Sequence, residues 1–169
     1  MVDVVLDKPQ ASFRDAMRRL AATVTIVSAR ADARRHGITA TAVTSLSMEP
    51  ASLLVCINRA SSLYPILQAA DRFCVNLLTS EQARVSDSFA GKLAAEERFQ
   101  HGDWQEDDEH VPYLSSGQAN IFCLKKEAID YGSHVILIGE VEGVRIADKV
   151  CPLIYSNGAY GRCAPLEAA

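Results

Sequence analysis

Between Gly37 and Pro50 the sequence reads Gly-Ile-Thr-Ala-Thr-Ala-Val-Thr-Ser-Leu-Ser-Met-Glu-Pro, with hydroxyls at Thr39, Thr41, Thr44, Ser45 and Ser47 set among small apolar residues. Small side chains let a flat molecule lie close to the backbone. Hydroxyls and free N–H groups then hydrogen-bond its edge or a phosphate, the mixture of apolar wall and placed polar groups that cofactor pockets use. Taken alone, the segment is equally a Thr-rich edge strand. A second candidate is Asn58-Arg59-Ala60-Ser61-Ser62, which ends an apolar run and opens a helical stretch. Hydroxyls, a cation and helix N-terminal N–H groups together hold phosphate without a glycine-rich loop; the plainer reading is an N-cap beside a surface arginine.

Two further places qualify. Phe89-Ala90-Gly91 closes a helical stretch, where the glycine also suits a left-handed cap. Gly132-Ser133-His134 enters the apolar run Val135-Ile136-Leu137-Ile138. A histidine there can donate a hydrogen bond or titrate near neutral pH, or simply be a structural residue after a tight turn. His36 stands in a basic turn, and His101 and His110 in an acidic stretch, with no pair at a helical metal-ligand spacing. The Gly-x-Ser-x-Gly elbow of hydrolases and the Gly-x-Gly-x-x-Gly dinucleotide fingerprint are both absent.

Bulk properties narrow the field. At 169 residues, with 49% hydrophobic and 22% charged residues, the chain fits one globular domain. A net charge of −4 gives no general attraction to nucleic acid or anionic lipid. No apolar run approaches the ~18 residues of a membrane span. Residues 1–8 carry acidic groups inside their apolar stretch and no basic lead, unlike a secretory signal, so a cytoplasmic location is expected. Five cysteines, an odd number without a Cys-x-x-Cys pair, read mostly as small buried hydrophobes.

These residues need elements to hold them. The pattern predicts a loose arm over residues 1–11, then one domain over 12–169. Within it an amphipathic helix is expected near 12–21, capped at Ser12, and a β-branched strand over 23–29. The polar stretch 30–36, with Arg30, Arg34 and Arg35 in solvent, links that strand in a hairpin to one over 37–47. A strand over 52–57 and a short helix over 61–70 follow, the latter with Pro65 in its first turn. Next come a strand over 73–78 and a helix opened by the capping box Thr79-Ser80-Glu81-Gln82. Residues 91–112 lack a period and read as an irregular segment able to act as a lid. Strands near 118–129, 134–146, 151–156 and 159–163 complete a mainly β chain, a barrel with helical additions.

An ordered set of short pieces resembles the short-chain flavin reductase family, the reductase components of two-component flavin-dependent monooxygenases. The pieces are Phe13–Met17, Gly37–Ser47, Leu54–Asn58, Phe73–Leu78, Phe89–Gly91, Glu97-Arg98-Phe99, the Gly-x-His at 132–134 and Gly139-Glu140-Val141. The Gly-Ile-Thr-Ala-Thr-Ala run is similar to the reductase partner of 4-hydroxyphenylacetate 3-monooxygenase. The resemblance implies a split β-barrel that binds FMN or FAD, usually a homodimer with flavin near the subunit interface. By the same resemblance Thr39, Ala40, Thr41 and Ala42 would line the flavin, and Ser45 and Leu46 would continue that wall. Arg59, Ala60, Ser61 and Ser62 would take the phosphate end, while Phe89, Ala90 and Gly91 close one side. His134 would lie near the nicotinamide of NADH or NADPH, and Tyr160 would contact the dinucleotide. Two departures stand out: Gly-Ser-His replaces the family's Gly-Asp-His, and Tyr160-Gly161-Arg162 replaces a terminal aromatic-His pair. The implied activity is hydride transfer from NAD(P)H to flavin for a partner monooxygenase. A non-catalytic flavin carrier, or a related reductase serving pyrimidine breakdown or corrinoid reduction, is the alternative.

Overall fold

A computed structural model describes residues 9–164. In chain order it contains α1 (Pro9–Met17), β1 (Ala22–Thr23), β2 (Thr25–Ala31), β3 (Arg34–Ala40), β4 (Val43–Met48), β5 (Ala51–Asn58), α2 (Tyr64–Ala69), β6 (Arg72–Leu77) and α3 (Ala83–Asp87). A π-helical turn at Ser88–Lys92 leads to α4 (Ala95–Arg98), β7 (Trp104–Glu106), β8 (Pro112–Leu114), β9 (Ala119–Tyr131), β10 (His134–Ile146), β11 (Leu153–Ser156) and β12 (Ala159–Arg162). Of the arm expected over 1–11, residues 1–8 lie outside the described part, while Pro9–Ala11 already belong to α1. Proline is well tolerated in a first helical turn, so the helix begins three residues before Ser12. None of the described helices is long and apolar enough to cross a membrane.

Seven strands pair antiparallel in the order β3-β2-β6-β9-β10-β5-β4. In a flat sheet the outer strands would stand roughly 29 Å apart at about 4.8 Å per strand. Yet β3 and β4 are joined by Thr41 and Ala42 alone, a link of about 11 Å at most. The sheet therefore curls into a barrel that is covalently closed at this corner and split elsewhere. Two hydrogen bonds hold the corner: Val43 N–H donates to Thr41 O at 3.0 Å and Cys56 N–H to Ala42 O at 3.0 Å. The single strand expected over 37–47 is thus two strands on opposite edges. Closure of the barrel, a long-range constraint, breaks an alternation that runs on locally.

The barrel interior is filled by Val27, Ala29, Val55, Ile57, Phe73, Val75, Val135 and Leu137, with Leu63, Ile66 and Leu67 closing one end. At Gly139 an added Cβ would lie 2.5 Å from the Phe73 ring, so only glycine lets β10 pass that side chain. Ile26, on the other face of β2, and Val24 just before that strand enter a second core with Leu78, Phe89, Phe99, Leu114 and Leu153. Buried Asn76 bridges the layers. Its Nδ2 donates to Ile26 O and Ser28 Oγ, both at 2.8 Å, and its Oδ1 accepts from Leu114 N–H and Asn120 Nδ2.

Residues 91–112 are not the irregular lid expected. They supply α4 and β7, and Phe89, Phe99 and Trp104 form an aromatic trio with centroids 4.8–5.1 Å apart. A segment anchored by buried aromatics is a wall. At the basic hairpin end Arg34 and Arg35 are exposed, as expected, with Arg35 lying 4.5 Å over the Phe99 ring, while the half-buried Arg30 pairs with Glu106. The capping box is half realised. Gln82 Oε1 accepts Thr79 N–H at 2.9 Å, but α3 starts only after Gln82.

Candidate flavin cavity and the neighbouring groove

Three chain segments meet around a cavity of about 700 Å3. From the end of β3 come Ile38, Thr39, Ala40 and the corner residue Thr41; from the turn after β5 come Ala60, Ser61 and Ser62; from the π-turn come Phe89, Ala90 and Gly91. Tyr155 and Tyr160 of the β11–β12 hairpin, Val24 and Arg98 complete the lining. Close packing brings the pieces together. An added Cβ at Gly37 would sit 2.9 Å from the Phe89 ring, so the absence of a side chain there lets the π-turn lie against β3. Gly91 reverses the chain at φ +93°, a left-handed conformation suited to glycine.

The hydroxyls divide into structural and free ones. Thr39 Oγ1 donates to Ser86 O at 2.6 Å, tying β3 to α3, and Thr25 Oγ1 donates to Ala40 O at 2.8 Å. The Tyr160 hydroxyl lies 2.9 Å from both Ser86 Oγ and Asp87 Oδ1, which fastens the terminal hairpin over the cavity. Burial raises the pKa of this phenol, opposed by the bond to Ser86 and reinforced by Asp87, so it stays protonated and donates to the carboxylate. Ser61 Oγ is different: it is buried and has no hydrogen-bond partner. A buried hydroxyl left unpaired costs about 1–3 kcal/mol, which makes it an acceptor or donor awaiting a ligand.

Arg98 is a lining residue that sequence reasoning left without a role. Only 5% exposed, it donates from Nε to Leu93 O at 2.9 Å and from Nη1 to Gly37 O at 3.0 Å. Behind it lies buried His36, whose Nδ1 accepts Gly37 N–H at 2.7 Å; burial first, and the Arg98 charge second, lower its pKa and keep it neutral. The signal for Arg98 was the Glu97-Arg98-Phe99 piece, but its acidic neighbour reads as an exposed ion pair.

Five expected site residues do not line this cavity. Arg59 is exposed and committed, with Nη1 3.1 Å from Asp130 Oδ2 and Nη2 donating to Gly132 O at 2.5 Å. His134 is exposed at the start of β10, opposite Asn58, with Nδ1 2.9 Å from Ser133 Oγ. Arg59 N–H donates to Ser133 O, so the 132–134 turn is laced to the turn that supplies Ala60–Ser62. Ser45 lines a second depression of about 680 Å3 in the split of the barrel, between Leu20–Thr25 and Thr41–Met48. Its more buried lining is Leu53, Leu77, Ile121 and Val141, with Val144 exposed beside them. Leu46 is half exposed on the same strand, and Ala42 forms the corner between the two depressions without lining either.

The cavity fits a flavin: an apolar slot edged by small residues, with an unpaired hydroxyl and a buried cation at one end. Comparison with known proteins points the same way. The family model described as the flavin reductase like domain matches residues 17–164. The reductase component of the FADH2-dependent resorcinol hydroxylase of a Rhizobium species is 46% identical over 91% of this chain and 87% of its own. The 4-hydroxyphenylacetate 3-monooxygenase reductase component of Pseudomonas aeruginosa is 35% identical over 97% of this chain and 98% of its own. Among solved structures, the NADH:FAD oxidoreductase SgcE6 of Streptomyces globisporus, in complex with NAD and FAD fragments, superposes with a TM-score of 0.88. It is 25% identical over 97% of this chain and 98% of that one. Fold, cavity and sequence agree, and the chain belongs to the flavin reductase like family.

Proposed function

We propose that the protein is an NADH-dependent flavin reductase that binds FMN or FAD in the 700 Å3 cavity and hands reduced flavin to a separate monooxygenase acting on an aromatic compound. The observation that carries this reading is the cavity's polar end, a buried cation and an unpaired hydroxyl opposite a wall of small residues. When bound together, the flavin and the nicotinamide supply the whole redox step, a hydride leaving nicotinamide C4 for flavin N5. The chain's own task is alignment and exclusion of water. Thr39, Ala40 and Thr41 supply one wall, Phe89, Ala90 and Gly91 the other, and Tyr160 holds the terminal hairpin across the opening. No lining residue needs to move a proton.

His134 is assigned to the nicotinamide rather than to the flavin, because it pairs with Asn58, next to the turn that supplies Ala60, yet is not among the lining residues. His134→Ala is expected to raise KM for NADH several-fold and leave the flavin Kd within about twofold, on the footing that it contributes about one hydrogen bond. An unchanged KM removes His134 from this role.

Two copies of the chain are part of the proposal. The groove in the split is apolar, and three strongly exposed apolar side chains, Leu20, Met48 and Val144, lie on it. The unpaired edge of β4 runs beside it without a single charged residue between Val43 and Met48, an edge that an isolated protein would ordinarily protect. A groove and protruding residues on one face are self-complementary, as a two-fold interface requires. Thr41 lines both depressions, so a second copy in the groove would border the flavin cavity.

The direct test follows NADH absorbance at 340 nm with FMN, FAD or riboflavin added. Flavin-dependent oxidation is expected. A protein that purifies yellow and oxidises no NADH or NADPH would be a flavin carrier. A colourless protein without turnover would overturn the reading.

A further inference from the structure

We propose that Arg98, with Ser61 and Ser62, forms the subsite that receives the phosphoryl anion of the cavity's ligand, a role that the exposed Arg59 does not fill. This rests on the flavin reading above and adds the residue that selects phosphorylated ligands. Arg98 is buried, lines the cavity and bonds only neutral acceptors: Leu93 O, Gly37 O and, at 3.4 Å, Ser62 Oγ. No carboxylate among the described residues forms an ion pair with it. A buried charge without a counter-ion is costly, so its counter-ion belongs in the space it faces.

Ser61 provides the independent observation. Its Oγ is the one buried side-chain oxygen or nitrogen without a partner among the described residues, and it lines the same cavity. Ser62 Oγ accepts from Arg98, which leaves its own proton to donate. The one uncommitted guanidinium nitrogen of Arg98, Nη2, and two hydroxyls offer separate donors that match the several acceptor oxygens of a phosphoryl group better than one flat carboxylate. Burial lowers the Arg98 pKa, yet a guanidinium starting so high remains charged at neutral pH. Arg59, by contrast, already has a carboxylate in Asp130.

The phosphoryl group can come from the flavin side chain or from the dinucleotide, and the experiment separates them. Fluorescence titration gives Kd for FMN and riboflavin, which differ by the phosphate alone, in wild type, Arg98→Met, Arg98→Lys, Ser61→Ala and Arg59→Met. Arg98→Met is expected to weaken FMN about 30-fold, as loss of a charge-assisted pair, and riboflavin by no more than about twofold. Arg98→Lys keeps part of the discrimination, Ser61→Ala loses it several-fold, and Arg59→Met leaves the ratio intact. Should the FMN ratio hold while Arg98→Met impairs NADH far more than reduced nicotinamide riboside, the anion is the dinucleotide's and the subsite stands. Equal losses for phosphorylated and unphosphorylated ligands in both arms make Arg98 structural only and overturn the proposal. Selective loss in Arg59→Met does the same. Ser61→Ala and Arg98→Lys keep the test decisive if Arg98→Met fails to fold. A wild type that binds neither flavin overturns the functional reading itself.

Discussion

Two depressions of nearly equal volume, about 700 and 680 Å3, lie on either side of one corner of the chain and share Thr41. Both carry Ser and Thr hydroxyls, but they differ in charge and in how apolar their walls are. One holds a buried arginine, an unpaired serine hydroxyl and a hydrogen-bonded tyrosine; the other is walled by Leu20, Val43, Met48, Leu53, Val141 and Val144. Size therefore says little about occupancy here. On the reading proposed above, placed polar groups without protein partners suit the small-molecule site, and the apolar slot beside an uncharged edge strand suits contact with a second copy. The first is built by the π-turn and the terminal hairpin packing against β3, the second by the open split beside β4.

The sharpest way to separate the two is to charge one of them. Met48→Asp puts a carboxylate on an 83% exposed side chain at the groove, twice per symmetric pair. Self-association is expected to weaken by about 100-fold or more, as when a central contact of an interface is lost, while each protomer keeps its far-ultraviolet spectrum. Sedimentation velocity reads this directly. Unchanged association would move the interface off the groove.

Gly37→Ala strikes the other depression. The new methyl must displace the Phe89 ring from the cavity wall, since 2.9 Å is below any ordinary carbon contact. Overpacking of this kind costs about 1–3 kcal/mol, and flavin affinity should fall about 10-fold while self-association holds. A variant with normal flavin Kd would detach Phe89 from the site.

The smallest effect concerns pH. His36 is buried beside Arg98, and both influences lower its pKa below the ordinary value. The unfolded chain therefore takes up a proton first. Stability from the neutral imidazole is complete above about pH 6.5, the unfolded value, and is lost as pH falls through the folded pKa. Thermal melts between pH 8 and 5 should show a loss that is shallower in His36→Asn. Identical profiles would exclude His36 as its source.

Much of the site was legible because its pieces are local. Hydroxyls at Thr39 and Thr41, the Ala60–Ser62 turn and the Phe89–Gly91 reversal each carry their own composition, and the fold gathers them with Tyr160. What escaped was set at long range. Arg98 follows two glutamates and reads as a surface residue, and only its bond to Gly37, 61 residues away, shows that it is internal. Arg59 stands outside the cavity for the converse reason, since Asp130 reaches it across 71 residues. The break at Thr41–Ala42 leaves no mark on the alternation, because barrel closure imposes it. Residues 91–112 lack a period because Phe99 and Trp104 pack as single anchors rather than as a repeating face.

The most direct test of the central claim is a crystal structure of the protein soaked with FMN. The account predicts the flavin ring between Thr39–Thr41 and Phe89–Gly91, with its phosphate against Arg98, Ser61 and Ser62. A ring seated in the apolar groove, with the polar cavity filled only by solvent, would contradict it.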